Sequence, residues 1–427
     1  MAPPWRERND LDKILIRGGK PLRGTVQVRG SKNAALPLMA ASLLAEKPCV
    51  LHNVPCLHDI FSMDKLLAHM GMQIDFTGRA MTLDPAGLGL AEAPYELVRR
   101  MRASFFVLGP LLGRFGKARV SLPGGCAIGT RPVDIHLHGL EALGAEIRIE
   151  DGYVMAEGRL KGTECALSFP SVGATENLMM AACRAEGVTR LTNVAREPEI
   201  EDLARFLNAL GAQISGAGTD LITIVGVEGL GGAEHAVMPD RIEAGTFLAA
   251  GVATGGDVTL AGANAAHLPV FLSKLQEAGA EIEVQGDKIR AVAKNGLKAV
   301  DIETHPYPGF ATDLQAQTMA LLTCAAGASR IKETVFENRF MQAAELVRMG
   351  AEIDLDGKVA LVRGVKRLSG APVMASDLRA SAALVIAGLM AERGETAISR
   401  VYHIDRGYER IEERFAGLGA DIERVRE

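Results

Sequence analysis

Long hydrophobic runs are missing from this chain. Nowhere do about 18 apolar residues follow one another, so no segment is expected to span a bilayer. The opening stretch MAPPWRERND holds the only tryptophan, Trp5, and two prolines, but no apolar core follows its charges. That argues against a secretory signal, so the protein is expected in the cytoplasm, with residues 1–10 as a loose tail. The six cysteines, Cys49, Cys56, Cys126, Cys165, Cys183 and Cys324, make no CxxC pair and no zinc-finger spacing. Disulfide stapling and a structural metal are therefore not expected. His136 and His138 form an HxH pair without a third ligand nearby, which reads more simply as core or surface than as a metal site. Lysines and arginines are scattered in a chain of net charge -5, so no nucleic-acid surface is indicated.

The rest is ordinary globular material: 427 residues, 48% apolar and 23% charged, enough for two or three domains or one very large one. What organises it is a repeat, which must be settled before any element is assigned. An amphipathic helical stretch ending in a small-residue turn recurs as LLAHMGMQI, LEALGAEI, LNALGAQI, LQEAGAEI, LVRMGAEI and FAGLGADI. The turn glycines are Gly71, Gly144, Gly211, Gly279, Gly350 and Gly419, at steps of 73, 67, 68, 71 and 69 residues. Upstream of each copy lies a helix apolar nearly all round and rich in Ala, Gly, Met and Leu, which predicts burial on every side with close helix contacts. Each unit therefore reads as strand, helix, strand, helix and two strands. Six such units suggest two globes of three rather than an open solenoid, because the apolar helices need cover all round. No linker marks the boundary; counting units puts a crossing near Met238.

One stretch stands apart from the repeat: Ser121 to Pro132, SLPGGCAIGTRP. Pro123, Gly124 and Gly125 cannot continue a helix or a central strand, and Gly129 adds a second flexible point, so Cys126 sits between two potential hinges with Arg131 close behind. A free cysteine is often a small buried hydrophobe. A thiol in a glycine turn beside a cation instead suits nucleophilic or proton-donor work.

The segments GSKNAALPLMAASLLAE (30 to 46), PGGCAIGTRPVD (123 to 134), SVGATEN (171 to 177), PDRIEAGTF (239 to 247), TDLQAQ (312 to 317), ETVFENRFM (333 to 341), DLRASAALVIAG (377 to 388) and YHIDRGYERIE (402 to 412) occur in order from about Leu11 to Val425. In these the chain resembles the enolpyruvyl transferases of the EPSP synthase superfamily, and among them the branch acting on UDP-N-acetylglucosamine. The shikimate-pathway branch shares fold and donor but is not expected to carry the PGGC loop. The resemblance implies an α/β fold, an inside-out α/β barrel of two domains. Each would hold three βαβαββ units with buried inner helices, and the active-site cleft would lie between the domains. It places 11–31 and 239–427 in the domain carrying both termini and 32–238 in an inserted domain.

The implied reaction moves the enolpyruvyl group of phosphoenolpyruvate to the 3-hydroxyl of UDP-N-acetylglucosamine by addition and elimination of phosphate, the first committed step of peptidoglycan synthesis. No metal or organic cofactor and no membrane is implied, and a monomer is expected. By resemblance Cys126 is the proton donor, Asp313 the base toward the sugar hydroxyl, and Lys32, Arg131 and Arg406 hold phosphoenolpyruvate. Asn33, Arg102, Arg131, Pro132, Val133, Asp134, Ile135, Ser171, Val172, Gly173, Asp313 and Val335 occupy nucleotide-sugar positions, with Arg339 and Arg379 as further cations. Fixed cations are what two multiply charged anions in one site require. On its own residues Asp313 reads equally as a helix N-cap, since Thr312 and Asp313 precede an apolar helix. Where the family often has a Lys two residues before the Ser of SVGAT, this chain has Phe169 followed by Pro170, and where it often has Trp four residues after the Arg of MRAS, Phe106 stands. A noncatalytic nucleotide-sugar binder and the shikimate enzyme remain as alternatives.

Overall fold

The computed structural model describes residues 12–99, 101–123, 133–293 and 296–426. The expected tail lies outside these residues, as do Cys126, Arg131 and Pro132. Every strand assigned to a sheet belongs to one of six four-stranded sheets with a common topology. The third shows the plan in one continuous stretch. Strand Glu164–Ala166 leads through helix Val172–Ala182 to a parallel strand, Val188–Thr192. Helix Pro198–Leu210 then leads to strands Gln213–Ser215 and Leu221–Val225, and the last of these inserts antiparallel between its predecessor and Val188–Thr192. Strand residues alternate exposed and buried, so each sheet turns one face to water. The sheets stay separate and open: among the described residues no strand pairing closes a barrel, and "inside-out" holds only in that the helices form the buried layer.

Of the described residues, 12–29 and 239–426 form one compact unit and those between 30 and 238 the other. Each has its own apolar core. Three sheets take in a strand far away in sequence. Glu234–Ala236 pairs parallel with Cys49–His52, Arg23–Gln27 pairs parallel with Asp257–Ala261, and Lys13–Arg17 lies between Thr396–Ser399 and Asp421–Val425.

The two helices of a repeat differ as their sequences dictate. The inner ones are buried nearly throughout: from Arg379 on, every residue of Leu378–Met390 is buried. Their small residues permit close approach, since a Cβ on Gly109 would sit 2.2 Å from the Asn177 carbonyl oxygen of the neighbouring inner helix. The outer helices bury one stripe, as in Pro198–Leu210, where Ile200, Leu203, Phe206, Leu207 and Leu210 are covered while Arg205 and Asn208 face water. All six repeat glycines adopt a left-handed conformation, with φ of 103° at Gly71, 94° at Gly144, 110° at Gly211, 104° at Gly279, 96° at Gly350 and 92° at Gly419. A side chain is disfavoured there, which is why the turn marks the repeat so regularly. Among the described residues no helix is long and apolar enough to cross a membrane.

Candidate active site

A polar side chain along an inner helix must find a buried partner, so groups meant for a ligand belong at the N-terminal ends. There the structure gathers the candidate residues. Lys32 and Asn33 open helix Lys32–Ala41, Arg102 opens the 3-10 turn Arg102–Val107 and Ser171 caps Val172–Ala182. In the other unit, Asp313 lies in the 3-10 turn Thr312–Leu314 ahead of helix Gln315–Leu322, and Arg379 is the second residue of Leu378–Met390.

In the unit of 12–29 and 239–426, Asp313 is the focus. Its Oδ1 accepts from Arg339 Nη2 at 2.6 Å and its Oδ2 from Arg379 Nη2 at 2.8 Å. The two guanidiniums are about 5% exposed, the carboxylate 26%, so the acid faces outward from a buried pair of cations. Charge-assisted contacts of this kind are short and strong when desolvated. The capping alternative fails: the N-cap position is Leu314, without a side-chain cap, and the Asp313 carboxylate is engaged by the arginines.

Behind this cluster a single phenol ties three inner helices together. Tyr408 Oη, fully buried, lies 2.8 Å from Thr246 Oγ1 and accepts from Arg379 Nη1 at 3.3 Å and Gln317 Nε2 at 3.3 Å. The same Gln317 amide donates to the Asp313 carbonyl oxygen at 2.9 Å. Burial works against the charge on Arg379, but the Asp313 carboxylate and its neighbours together outweigh it and its pKa moves up. Burial pushes the Tyr408 phenol up as well. Arg406, half-buried, ends the 3-10 turn Val401–Arg406. The preceding Asp405 is held by Arg424 in a two-pronged contact of 2.6 and 3.1 Å, which anchors that turn to the strand Asp421–Val425. His403 lies close by, its pKa lowered by burial and then by Arg406. The backbone N–H of Val335 donates to the Glu333 carboxylate at 2.8 Å.

In the unit between 30 and 238, Lys32 Nζ pairs with Asp59 Oδ2 at 3.0 Å, both nearly buried. His136 is buried, and its Nδ1 lies 3.1 Å from the Asn177 amide nitrogen, which also donates to the Phe105 carbonyl oxygen at 3.1 Å. An amide nitrogen donates, so Nδ1 accepts and the ring is neutral with its proton on Nε2. Burial, then the charge of Arg102, pushes its pKa down to about 3. The histidine of the HxH pair is thus a core residue, and no cluster of metal-ligating side chains occurs among the described residues. Phe106 packs against Gly173, where an added Cβ would be 3.0 Å from the ring and 3.4 Å from His136. Ser171 Oγ accepts from Ala174 N at 3.4 Å, and Phe169 is 40% exposed beside it. Val133 precedes helix Asp134–Ala142, with Asp134 exposed and Ile135 half-buried. Cys126, Arg131 and Pro132 lie outside the described residues. Burial raises the Cys49, Cys165 and Cys324 thiols and pushes Cys183 up to about 12, which makes these four poor nucleophiles.

Reading the residues missed Glu333, Tyr408, Asn177 and Asp59, which support the candidates without being among them. Glu333 and Tyr408 were inside the motifs ETVFENRFM and YHIDRGYERIE, but nothing in a linear motif distinguishes a side chain aimed at a neighbour's amide from one aimed at solvent.

With this geometry in hand, likeness to known proteins becomes informative. The family model described as EPSP synthase (3-phosphoshikimate 1-carboxyvinyltransferase) matches residues 16–415. A UDP-N-acetylglucosamine 1-carboxyvinyltransferase from Nitratidesulfovibrio vulgaris is 55% identical over 419 residues, 98% of this chain and 100% of that protein. One of the same name from an Anaeromyxobacter species is 58% identical over 422 residues, 97% of this chain and 100% of that protein. Among solved structures, the enolpyruvyl transferase NikO from Streptomyces tendae matches with a TM-score of 0.87 at 27% identity, over 97% of this chain and 99% of that one. An EPSP synthase from Acinetobacter baumannii, at a TM-score of 0.75 and 20% identity over 97% of this chain and 100% of that one, shares the fold.

Proposed function

This chain belongs to the EPSP synthase family, and from that premise we infer that it transfers the enolpyruvyl group of phosphoenolpyruvate to the 3-hydroxyl of UDP-N-acetylglucosamine, releasing phosphate. It is a transferase serving peptidoglycan synthesis. The observation that carries the choice of acceptor is the near-complete alignment with enzymes named for UDP-N-acetylglucosamine. The Asp313 carboxylate, presented between two buried arginines, supports it chemically.

Addition needs a proton on the methylene carbon of phosphoenolpyruvate and loss of the proton from the sugar hydroxyl, as its oxygen bonds to the neighbouring carbon. Elimination then removes a proton from the new methyl group and expels phosphate, which restores the double bond. In our reading Cys126 gives the first proton and Asp313 takes the hydroxyl's. Lys32, Arg131 and Arg406 balance the carboxylate and phosphate of the donor. Asn33, Arg102, the 131–135 segment, Ser171, Val172, Gly173 and Val335 hold the nucleotide sugar, with Arg339 and Arg379 keeping Asp313 aimed. Lys32 is the group whose pairing with Asp59 sets its direction. Without a Lys before SVGAT, the first turn of helix Val172–Ala182 supplies the diphosphate contact through backbone N–H groups. We assign the protein to the cytoplasm as a monomer, to be checked by fractionation and sedimentation.

The test is phosphate release from phosphoenolpyruvate with each acceptor in turn. Release with UDP-N-acetylglucosamine and none with 3-phosphoshikimate is expected; the reverse result identifies the shikimate enzyme, and binding without release identifies a noncatalytic sensor.

A further inference from the structure

Glu333 follows strand Ala328–Lys332 and is 1% exposed, yet no arginine or lysine is among its hydrogen-bond partners in the described residues. Four neutral donors surround its carboxylate. Oε1 accepts from Thr304 Oγ1 at 2.8 Å, from Val335 N at 2.8 Å and from Phe336 N at 3.1 Å, and Oε2 accepts from Thr312 Oγ1 at 2.9 Å. Thr304 Oγ1 in turn accepts from Thr334 N at 2.9 Å. A buried carboxylate satisfied this fully is costly to disturb, since each donor would be left unpartnered.

The contacts close a ring. Thr312 is the residue before Asp313, and Val335 and Phe336 begin the loop that ends at Arg339. The Arg339 guanidinium lies over the Phe336 ring, 5.3 Å from its centroid, and donates to Asp313. Both ends of the Asp313–Arg339 pair are therefore fixed through one carboxylate. We propose that Glu333 is a positioning residue for enolpyruvyl transfer, holding the Asp313 turn and the Val335 to Arg339 loop in a single frame so that Asp313 and Val335 meet the sugar nucleotide in fixed register. This rests on the transfer reading above, and it assigns Glu333 no contact with substrate.

The experiment compares Glu333→Leu, Glu333→Gln, Thr312→Val and Thr312→Ser with the wild type, measuring kcat and KM for each substrate, the melting temperature and the Arg339 Nε–H resonance. Misplacing reacting groups by about 1 Å can cost about 100-fold in rate, so Glu333→Leu is expected to lower kcat by up to about 100-fold per folded molecule. It should also raise KM for UDP-N-acetylglucosamine more than KM for phosphoenolpyruvate. Glu333→Gln keeps an oxygen for the three Oε1 donors and should stay within about tenfold of wild type. Thr312→Val should lose activity that Thr312→Ser recovers. A folded Glu333→Leu with kcat and KM within about twofold of wild type, or one that only melts earlier, overturns the proposal, since positioning losses run far larger. Should Glu333→Leu fail to fold, equal kcat in the Thr312 pair overturns it instead. Should the wild type itself release no phosphate, the transfer reading fails separately. The frame is then judged by the Arg339 resonance, sharp in wild type and broadened in Glu333→Leu if Glu333 positions it, unchanged if it does not.

Discussion

The two units repeat one architecture three times each, yet differ in what they bury at the N-terminal ends of their inner helices. In the unit of 12–29 and 239–426 the buried groups are charged and coupled: Asp313 with Arg339 and Arg379, and Arg379 with Tyr408. In the unit between 30 and 238 the central pair, His136 and Asn177, is neutral, and the Lys32–Asp59 ion pair stands apart from it. Glu176, next to Asn177 in the chain, is buried and finds no hydrogen-bond partner for either carboxylate oxygen among the described residues, and burial followed by the charges of Glu199 and Glu197 drives its pKa well up. One unit thus presents a carboxylate between buried cations, while the other buries Glu176 without a hydrogen-bond partner among the described residues. A repeat can diverge in chemistry at helix ends while its apolar packing stays common.

The largest effect is expected where the chemistry needs an acid. Cys126→Ser should be nearly inactive, because a hydroxyl is too weak an acid to donate at neutral pH. Cys126→Asp should keep substantial activity with an optimum at lower pH, since an unperturbed Asp has a pKa of about 4 against about 8.5 for Cys. The epoxide fosfomycin should add mass to the wild type and spare the Asp variant; labelling of Cys49, Cys56, Cys165, Cys183 or Cys324 instead would remove Cys126 from the centre of the reaction.

Next comes the other unit. Asp313→Asn should lower turnover by on the order of 100-fold or more while the fold survives. An early melt with near-normal turnover per folded molecule would show that Asp313 is structural and erase the contrast.

A smaller change tests the scaffold behind it. Tyr408→Phe strips Thr246, Gln317 and Arg379 of a shared partner and should destabilise by about 1–3 kcal/mol in urea titrations. The equivalent loss from a surface tyrosine such as Tyr95 should be close to zero.

The finest test is of pH. His136, lowered to about 3 from 6.5, stabilises the fold fully above the unfolded value, and that stability is lost as pH falls from about 6.5 toward 3. The slope is at most about 1.4 kcal/mol per pH unit, and His136→Gln should flatten it. Glu176 has the opposite sign. Its raised pKa favours the fold at low pH, and that advantage is lost as pH climbs above about 4.5, so Glu176→Gln should flatten stability on the neutral side. Unchanged pH profiles in both variants would mean that neither group titrates on unfolding as its burial requires.

Much of this was legible in the residues because it is periodic or compulsory. The six glycine turns announce themselves, since few other residues accept φ near 100°. The inner and outer helices separate by composition, and six units follow from counting. Less legible was the sheet closed by a strand from elsewhere: nothing in Lys13–Arg17 says that its partners lie at the other end of the chain. Asp313 could not be told from a cap, because a capping carboxylate and one held by arginines 26 and 66 residues further on look alike in TDLQAQ. The inside-out α/β arrangement implied by family likeness appears, among the described residues, as six separate four-stranded sheets over buried helices. Side chains such as Glu333 act through contacts that exist only after distant segments meet.

The strand Lys13–Arg17 carries a consequence for how the molecule is made. It leaves the ribosome well ahead of Thr396–Ser399 and Asp421–Val425, which flank it in its sheet and are synthesised about 380 residues later or more. At ordinary elongation rates that is a wait of roughly 20 to 80 s. Everything between 30 and 238 emerges meanwhile and is free to fold, whereas the sheet that needs the strand cannot close until Asp421–Val425 has emerged. An apolar β-segment held waiting that long is a natural client for a chaperone, and a permuted gene that joins the two ends and opens the chain elsewhere would let it pair as soon as it appears.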